Sequence, residues 1–268
     1  GPTVPDGSLS GRTVLAIFAH PDDESLACGG TLARLSDAGA RVVLLCASRG
    51  SKVAVSDPTL VPDGDLGSVR AEELRQAARV LGVADVVILD HPDGELWWAD
   101  APLFHREIMS AIRDHRADAV ITFDDDGLYW HVDHIGIHER TRNAVEALGA
   151  DAPSLYFVTI PKGVMRQVVD AAVASGWTRP ASGLWAIVPD AFGLHAKPPT
   201  AVLDVSDWVA RKLAAMLCHR TQVGTDNPFT RLSPADTRRW LGTEQFRRLE
   251  PQTGCSLLEP LGEPRLVS

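Results

Sequence analysis

Six apolar residues, Val14 to Ala19, run directly into His20, Pro21, Asp22, Asp23 and Glu24. A short apolar run rich in branched side chains reads as a strand buried on both faces. Pro21 has no N–H to give a ladder, so the strand ends there. An imidazole and three carboxylates therefore follow the carboxyl end of a strand, the place where open α/β sheets bind ligands. A second apolar run, Ala119 to Phe123, passes through the turn Asp124–Gly127 to His131, Val132, Asp133 and His134. Two His/Asp clusters, each after a buried strand, are what a folded metal site needs. The alternative for the first is an Asp-rich turn that caps the helix starting near Ser25.

These clusters need elements to position them. Strands are expected at 13–19, 41–47, 85–89, 117–123, 155–160 and 201–205. Helices are expected at 25–38, 69–81, 101–115, 131–148, 164–174 and 207–219, with a last short one from Ser233-Pro234. Gly29-Gly30 inside the first helix costs stability and points to close packing. Residues 48–68 form a long polar loop of the kind that serves as a lid or binding loop. Loops and short strands are expected from 176 to 199, and an extended tail from 250 to 268. Strands alternating with helices mean an α/β fold with a mainly parallel sheet covered on both faces. We expect a Rossmann-like three-layer sandwich over 3–160 and a smaller C-terminal α/β extension over 161–268, forming one compact unit. The polar clusters after the first four strands, including Asp90–Gly94, then share one edge.

His20-Pro21-Asp22-Asp23-Glu24 with His131-x-Asp133-His134, 111 residues on from His20, resembles the LmbE/PIG-L family of zinc-dependent de-N-acetylases of N-acetylglucosamine-type sugars. Supporting matches are Arg70-x-x-Glu73-Leu74, Leu81-Gly82, Asp93-Gly94, Tyr129, Lys212 and His219-x-x-Gln222. The resemblance implies one Zn2+ per chain held by His20, Asp23 and His134, with Asp22 as general base. A catalytic zinc keeps three protein ligands and an open position, and adjacent Asp22 and Asp23 do not easily share one metal. His131 is the expected general acid and oxyanion donor, Asp133 its orienting partner, and Tyr129 a polariser of the carbonyl. Arg70, Asp93 and His219 are expected near the substrate. Trp97 and Trp98 offer rings that stack on a sugar or pack under a loop. His138 and His91 are weaker ligand candidates, and Glu24 is expected to be structural.

Composition narrows the function. Net charge is −9, against a nucleic-acid binder, which needs a basic face. No apolar run is long enough to span a bilayer and no secretory pattern is visible, so the expected location is cytoplasmic, without membrane partners. Gly1-Pro2 reads as a tag-cleavage scar. Cys28, Cys46, Cys218 and Cys255 are scattered, without a Cys-x-x-Cys pair, and read as reduced thiols. The expected partner is a small N-acetylated amino sugar or glycoside, with a homo-oligomer possible. Within the family, chain length favours a tailoring or general sugar deacetylase over the mycothiol enzymes, with an amidase of thiol conjugates as alternative. A non-catalytic metal- or nucleotide-binding module lacks a Gly-x-Gly-x-x-Gly fingerprint, and a two-metal phosphoesterase would have to draw on Asp124–Asp126.

Overall fold

The computed structural model describes residues 7–55 and 57–262. Gly1-Pro2, the first lead-in residues and the last six of the tail lie outside them. Seven strands form one sheet: β1 (Thr13–Phe18), β2 (Arg41–Cys46), β3 (Asp85–Ile88), β4 (Ala119–Phe123), β5 (Ser154–Thr159), β6 (Ala201–Asp204) and β7 (Thr243–Arg248). The helices are α1 (Asp23–Asp37), α2 (Leu66–Leu81), α3 (Ala101–Asp114), the short α4 (Gly127–Trp130), α5 (Val132–Ala147), α6 (Val164–Ala174), α7 (Val209–Cys218), the short α8 (Arg220–Val223), α9 (Pro234–Leu241) and the short α10 (Glu259–Gly262). No helix of the described residues is long and apolar enough to cross a membrane.

The sheet order is β3-β2-β1-β4-β5-β7-β6. The first five strands are parallel. β1 and β4 lie side by side, yet the chain leaves β1 towards β2 and leaves β4 towards β5. Connections that diverge this way open a crevice at the strands' carboxyl ends. Both His/Asp clusters stand there. Val14–Phe18 and Ala119–Phe123 are buried throughout, as strands covered on both faces must be.

The C-terminal part departs from expectation at three places. No strand forms between Thr159 and Ala201; that stretch holds only one-turn helices at Leu184–Ala186 and Pro189–Ala191 beyond α6. A strand without an apolar signature does form. β7 runs antiparallel between β5 and β6, and its inward residues are Glu244, Phe246 and Arg248. Two of the three are charged, so the alternation that betrays a strand is hidden. Each finds an ionic partner: Lys212 for Glu244 at 2.7 Å and Glu259 for Arg248 at 3.2 Å. Part of the tail also folds, as α10, whereas the sequence suggests an extended chain.

Glu244 ties this late strand to the first helix. α1 breaks at Cys28, where φ is −152°. The carboxylate accepts the N–H of Gly30 at 3.1 Å and of Thr31 at 2.6 Å. Gly30 is required, since a Cβ there would stand 2.6 Å from the Val205 side chain. Lys212 and Glu244 are 4% and 2% exposed at the side chain, so removing one leaves a buried charge unpaired. Lys212→Met is expected to cost about 3–5 kcal/mol, and the double variant Lys212→Met/Glu244→Gln to recover much of it. Urea unfolding checks this; a single variant as stable as the parent would show that the clamp holds nothing.

Candidate active site

A cavity of about 370 Å³ opens at the carboxyl ends of β1 to β4. His20, Asp22 and Asp23 reach it from β1, Asp93 from the loop after β3, and Tyr129 and His131 from the segment after β4. Arg70 of α2 and Gln222 of α8 complete its polar wall. Val53 and Ala54 of the long loop after β2, with Gly183, Leu184 and Ile187, supply an apolar side. These apolar residues carry no chemical signature in the sequence; only the length of the 48–68 loop points towards them.

Asp23 lies at the centre. Its Oδ2 accepts the backbone N–H groups of Ala19 at 3.2 Å and His20 at 2.8 Å. Its Oδ1 faces His134 Nε2 at 3.2 Å. His134 Nδ1 is 3.0 Å from the Gly127 carbonyl, an acceptor, so Nδ1 carries the proton and Nε2 is bare in the neutral ring. His134 Nε2 is buried with no hydrogen-bond partner. The ring is held between Phe123, stacked at 4.0 Å, and His131, stacked at 4.5 Å.

His20 repeats the pattern. Its Nε2 donates to Asp133 Oδ2 at 2.7 Å and lies 3.2 Å from Asp93 Oδ1. Nδ1 is left facing Asp23 Oδ2 at 3.6 Å. His20 Nδ1 and His134 Nε2 thus face the two oxygens of one carboxylate, contacts that either a proton on a ring or a bound cation satisfies. His20, Asp23 and His134 fit a divalent metal with nitrogen and oxygen ligands. Two other sets, His20 with His131 and His134 and His20 with Asp93 and Asp133, offer one atom each with all atoms within 4.8 Å of one another, whereas His20 and His134 are joined through the two oxygens of Asp23. Asp133 is less free, because it also accepts N–H groups from Gly94 at 2.8 Å and Leu96 at 3.0 Å.

Asp133 therefore orients His20, whereas the sequence analysis expected it to orient His131. Only its backbone touches His131, donating N–H to Nδ1 at 3.1 Å. That bond leaves His131 Nε2 for the cavity. Burial and the neighbouring His134 and His20 push the His131 imidazole down to about 4. Burial holds the Tyr129 phenol well above its usual range, helped by Asp23.

The two adjacent aspartates are driven apart. Burial raises Asp23, but His134 and His20 overcome it and hold the carboxyl well below the usual range. Burial wins at Asp22, pushed up to about 7 against the pull of Arg70. Asp22 has φ 115°, a left-handed conformation that costs a non-glycine residue about 1–3 kcal/mol. Arg70, 3% exposed at the side chain, lies 3.4 Å from Asp22 Oδ2. It also donates to the carbonyls of Gly50 and Pro21. Burial opposes the low value of Asp93, but the His20 hydrogen bond brings it to about 2.

The remaining candidates lie elsewhere. Trp97 and Trp98 are 41% and 70% exposed and do not line the cavity. His219 is fully buried behind it and donates to Glu24. His138 is buried against Phe157, its Nδ1 donating to the Phe123 carbonyl. His91 pairs with Glu107 at 2.7 Å. All four cysteines are free thiols.

Comparison with known proteins shows the family. The family described as PIG-L, GlcNAc-PI de-N-acetylase, matches residues 15–145. The 1D-myo-inositol 2-acetamido-2-deoxy-alpha-D-glucopyranoside deacetylase of Geodermatophilus obscurus is 32% identical over 277 residues, covering 91% of this chain and 94% of its own. The chain belongs to the PIG-L family. Among solved structures, N,N'-diacetylchitobiose deacetylase from Pyrococcus horikoshii has a TM-score of 0.63 at 21% identity, covering 89% of this chain and 84% of its own. GalB, the 4-carboxy-2-hydroxymuconate hydratase of Pseudomonas putida KT2440, has a TM-score of 0.61 at 19% identity, covering 92% and 99%. A similar fold thus occurs in proteins named for different reactions, and the site has to carry the functional argument.

His20, a candidate ligand, sits among three carboxylates. Burial lowers the imidazole, but Asp133, Asp23 and Asp93 together raise it well above the ordinary value. A metal needs the neutral ring, so uptake is expected to release a proton from His20. Zinc affinity should then rise about tenfold per pH unit until pH passes the His20 pKa. Calorimetric titration of the metal-free protein in buffers of different ionisation enthalpy checks this; a pH-independent affinity would place the ion elsewhere.

Proposed function

We propose that this chain is a metal-dependent amide hydrolase that removes the N-acetyl group from an N-acetylglucosamine-type sugar. The observation that carries the reading is the meeting of His20, Asp23 and His134 at the strand ends, beside an aspartate, Asp22, that takes no part in those contacts. One metal per chain is proposed there, with zinc the first candidate. Bound at these residues, the ion would lower the pKa of water and polarise the amide carbonyl.

The chain's own residues do the rest. Asp22 takes a proton from the attacking water as its oxygen bonds the acetyl carbon. A value near 7 in the metal-free chain suits a base working near neutral pH. Tyr129, kept protonated by burial, and His131 donate to the carbonyl oxygen as it gains charge. As that charge develops, a proton from solvent converts His131 to the imidazolium, its Nδ1 releasing the Asp133 N–H. The imidazolium gives its proton to nitrogen as the C–N bond breaks. Acetate and a free amine leave, and Asp22 returns its proton to solvent.

Asp93, Arg70 and Gln222 supply polar contacts for a sugar, and His219 acts behind the wall. Trp97 and Trp98 enter only if a substrate extends beyond the cavity. Segments 3–160 and 161–268 are proposed to act as one catalytic unit, because the cavity takes Gly183, Leu184, Ile187 and Gln222 from the second. Length suggested a tailoring enzyme, but the Geodermatophilus relative shares 94% of its own length with this chain. An N-acetylglucosaminyl inositol is accordingly the first substrate to try.

Asp22→Asn keeps a side chain that tolerates positive φ and removes the base. With full metal content, it is expected to lower kcat for acetate release by on the order of 10²–10⁴-fold. Parent activity should rise with pH along its acid limb, since Asp22 works only when ionised. Near-parent turnover by a folded, metal-loaded Asp22→Asn protein would remove Asp22 from the mechanism.

A further inference from the structure

Behind Asp22 lies a set of buried polar groups that the proposed chemistry does not use. Glu24 is 1% exposed and His219 fully buried. His219 Nε2 donates to Glu24 Oε1 over 2.6 Å, and Ser25 Oγ donates to the same oxygen at 3.1 Å. The other oxygen, Oε2, accepts the backbone N–H of Asp22 at 3.0 Å. A carboxylate this deep is costly unless its oxygens are met, and among the described residues no Lys or Arg forms an ion pair with it. His219 Nδ1 has no hydrogen-bond partner, so the hydrogen bonding of its ring is spent on Glu24.

The N–H that Glu24 accepts belongs to the strained residue. Asp22 stands at φ 115° and ψ −26°, a conformation that L residues rarely adopt without outside support. Turning that residue into the helical region would draw its N–H away from Glu24. Arg70 meets the carboxylate of Asp22 and Glu24 its backbone, so the residue is held at both ends. His219 also links this hold to the cavity wall, since the backbone N–H of Gln222 donates to the His219 carbonyl at 3.0 Å.

We propose that His219 and Glu24 are a positioning pair: His219 anchors Glu24, and Glu24 locks the Asp22 backbone in the left-handed conformation that aims its carboxylate into the cavity. The inference rests on Asp22 being the base, and it adds two residues that touch neither substrate nor metal.

The test compares two uncharged replacements. Glu24→Met fills the space without an acceptor. Glu24→Gln keeps an oxygen for the Asp22 N–H and an amide for His219. With metal content and KM at parent values, Glu24→Met is expected to lower kcat on N-acetylglucosaminyl inositol by about 100-fold, the scale of a small misplacement of a reacting group. Glu24→Gln should stay within about tenfold of the parent, the rescue that a regained acceptor predicts. A crystal structure of Glu24→Met should show Asp22 at negative φ. The pair has no positioning role if Glu24→Met keeps near-parent kcat, if both variants fall equally, or if the loss follows lost metal. Asp22 unmoved in the variant crystal overturns it as well. Should Glu24→Met not fold, Glu24→Gln/His219→Ala carries the test, leaving no buried charge and removing the anchor; it is expected to lose kcat as Glu24→Met would. A parent protein inactive on N-acetylated sugars would count against the proposed function alone, because the Asp22 φ of the variant still decides the pairing.

Discussion

Two bare atoms face each other in the core of this protein: Oδ1 of Asp23 and Nε2 of His134, 3.2 Å apart. Neither has a proton to offer when the imidazole is neutral, and His134 is fully buried. Buried acceptors that point at one another are costly unless a proton or a cation comes between them. The surroundings hold them there nonetheless. Gly127 fixes the His134 tautomer, Phe123 and His131 fix its plane, and two backbone N–H groups fix Asp23. Asp133, itself held by Gly94 and Leu96, turns His20 towards the same point. The ends of β1, β3 and β4 are thereby tied together through side chains.

The same packing separates two neighbouring carboxylates. Asp22 and Asp23 differ by one position, yet one is drawn far down by imidazoles and the other pushed up by burial. Opposed environments of this kind suit the proposed division of labour, one acid as ligand and the other for proton transfer. The separation depends on backbone direction. Asp23 enters α1 with its side chain turned back onto the strand end. Asp22 is twisted out of the helical region so that its carboxylate faces Arg70 and the cavity. Strain in the backbone is thus coupled to a difference in acidity.

Positioning also reaches across the whole chain. α1, which carries both aspartates at its start, breaks at Cys28, and the freed N–H groups are capped by Glu244 of the last strand. His219, near the end of α7, reaches Glu24 in the first turn of α1. The C-terminal third therefore supports a site whose proposed ligands, His20, Asp23 and His134, all lie in the first half. The resemblance of this architecture to a hydratase as well as to a deacetylase fits that division. The sheet supplies a crevice, and side chains at strand ends select the chemistry.

Much of this was legible in the residue order. The apolar runs 14–19 and 119–123 marked two buried parallel strands because such strands need no polar face. The spacing of His20, Asp23, His131 and His134 marked a site because few other arrangements put imidazoles and carboxylates after two such strands. What stayed hidden depended on partners distant in sequence. β7 was invisible because its inward Glu244 and Arg248 are buried by ion pairs, which hydrophobic periodicity does not register. The attachment of Asp133 to His20 instead of its neighbour His131 came from the direction in which α5 begins. The apolar wall of Val53, Leu184 and Ile187 arose from loops that pack without periodicity. Local sequence determined which groups this protein holds and near which strand ends. Tertiary structure decided which pairs meet, because hydrogen-bond direction and burial exist only once distant segments share one crevice.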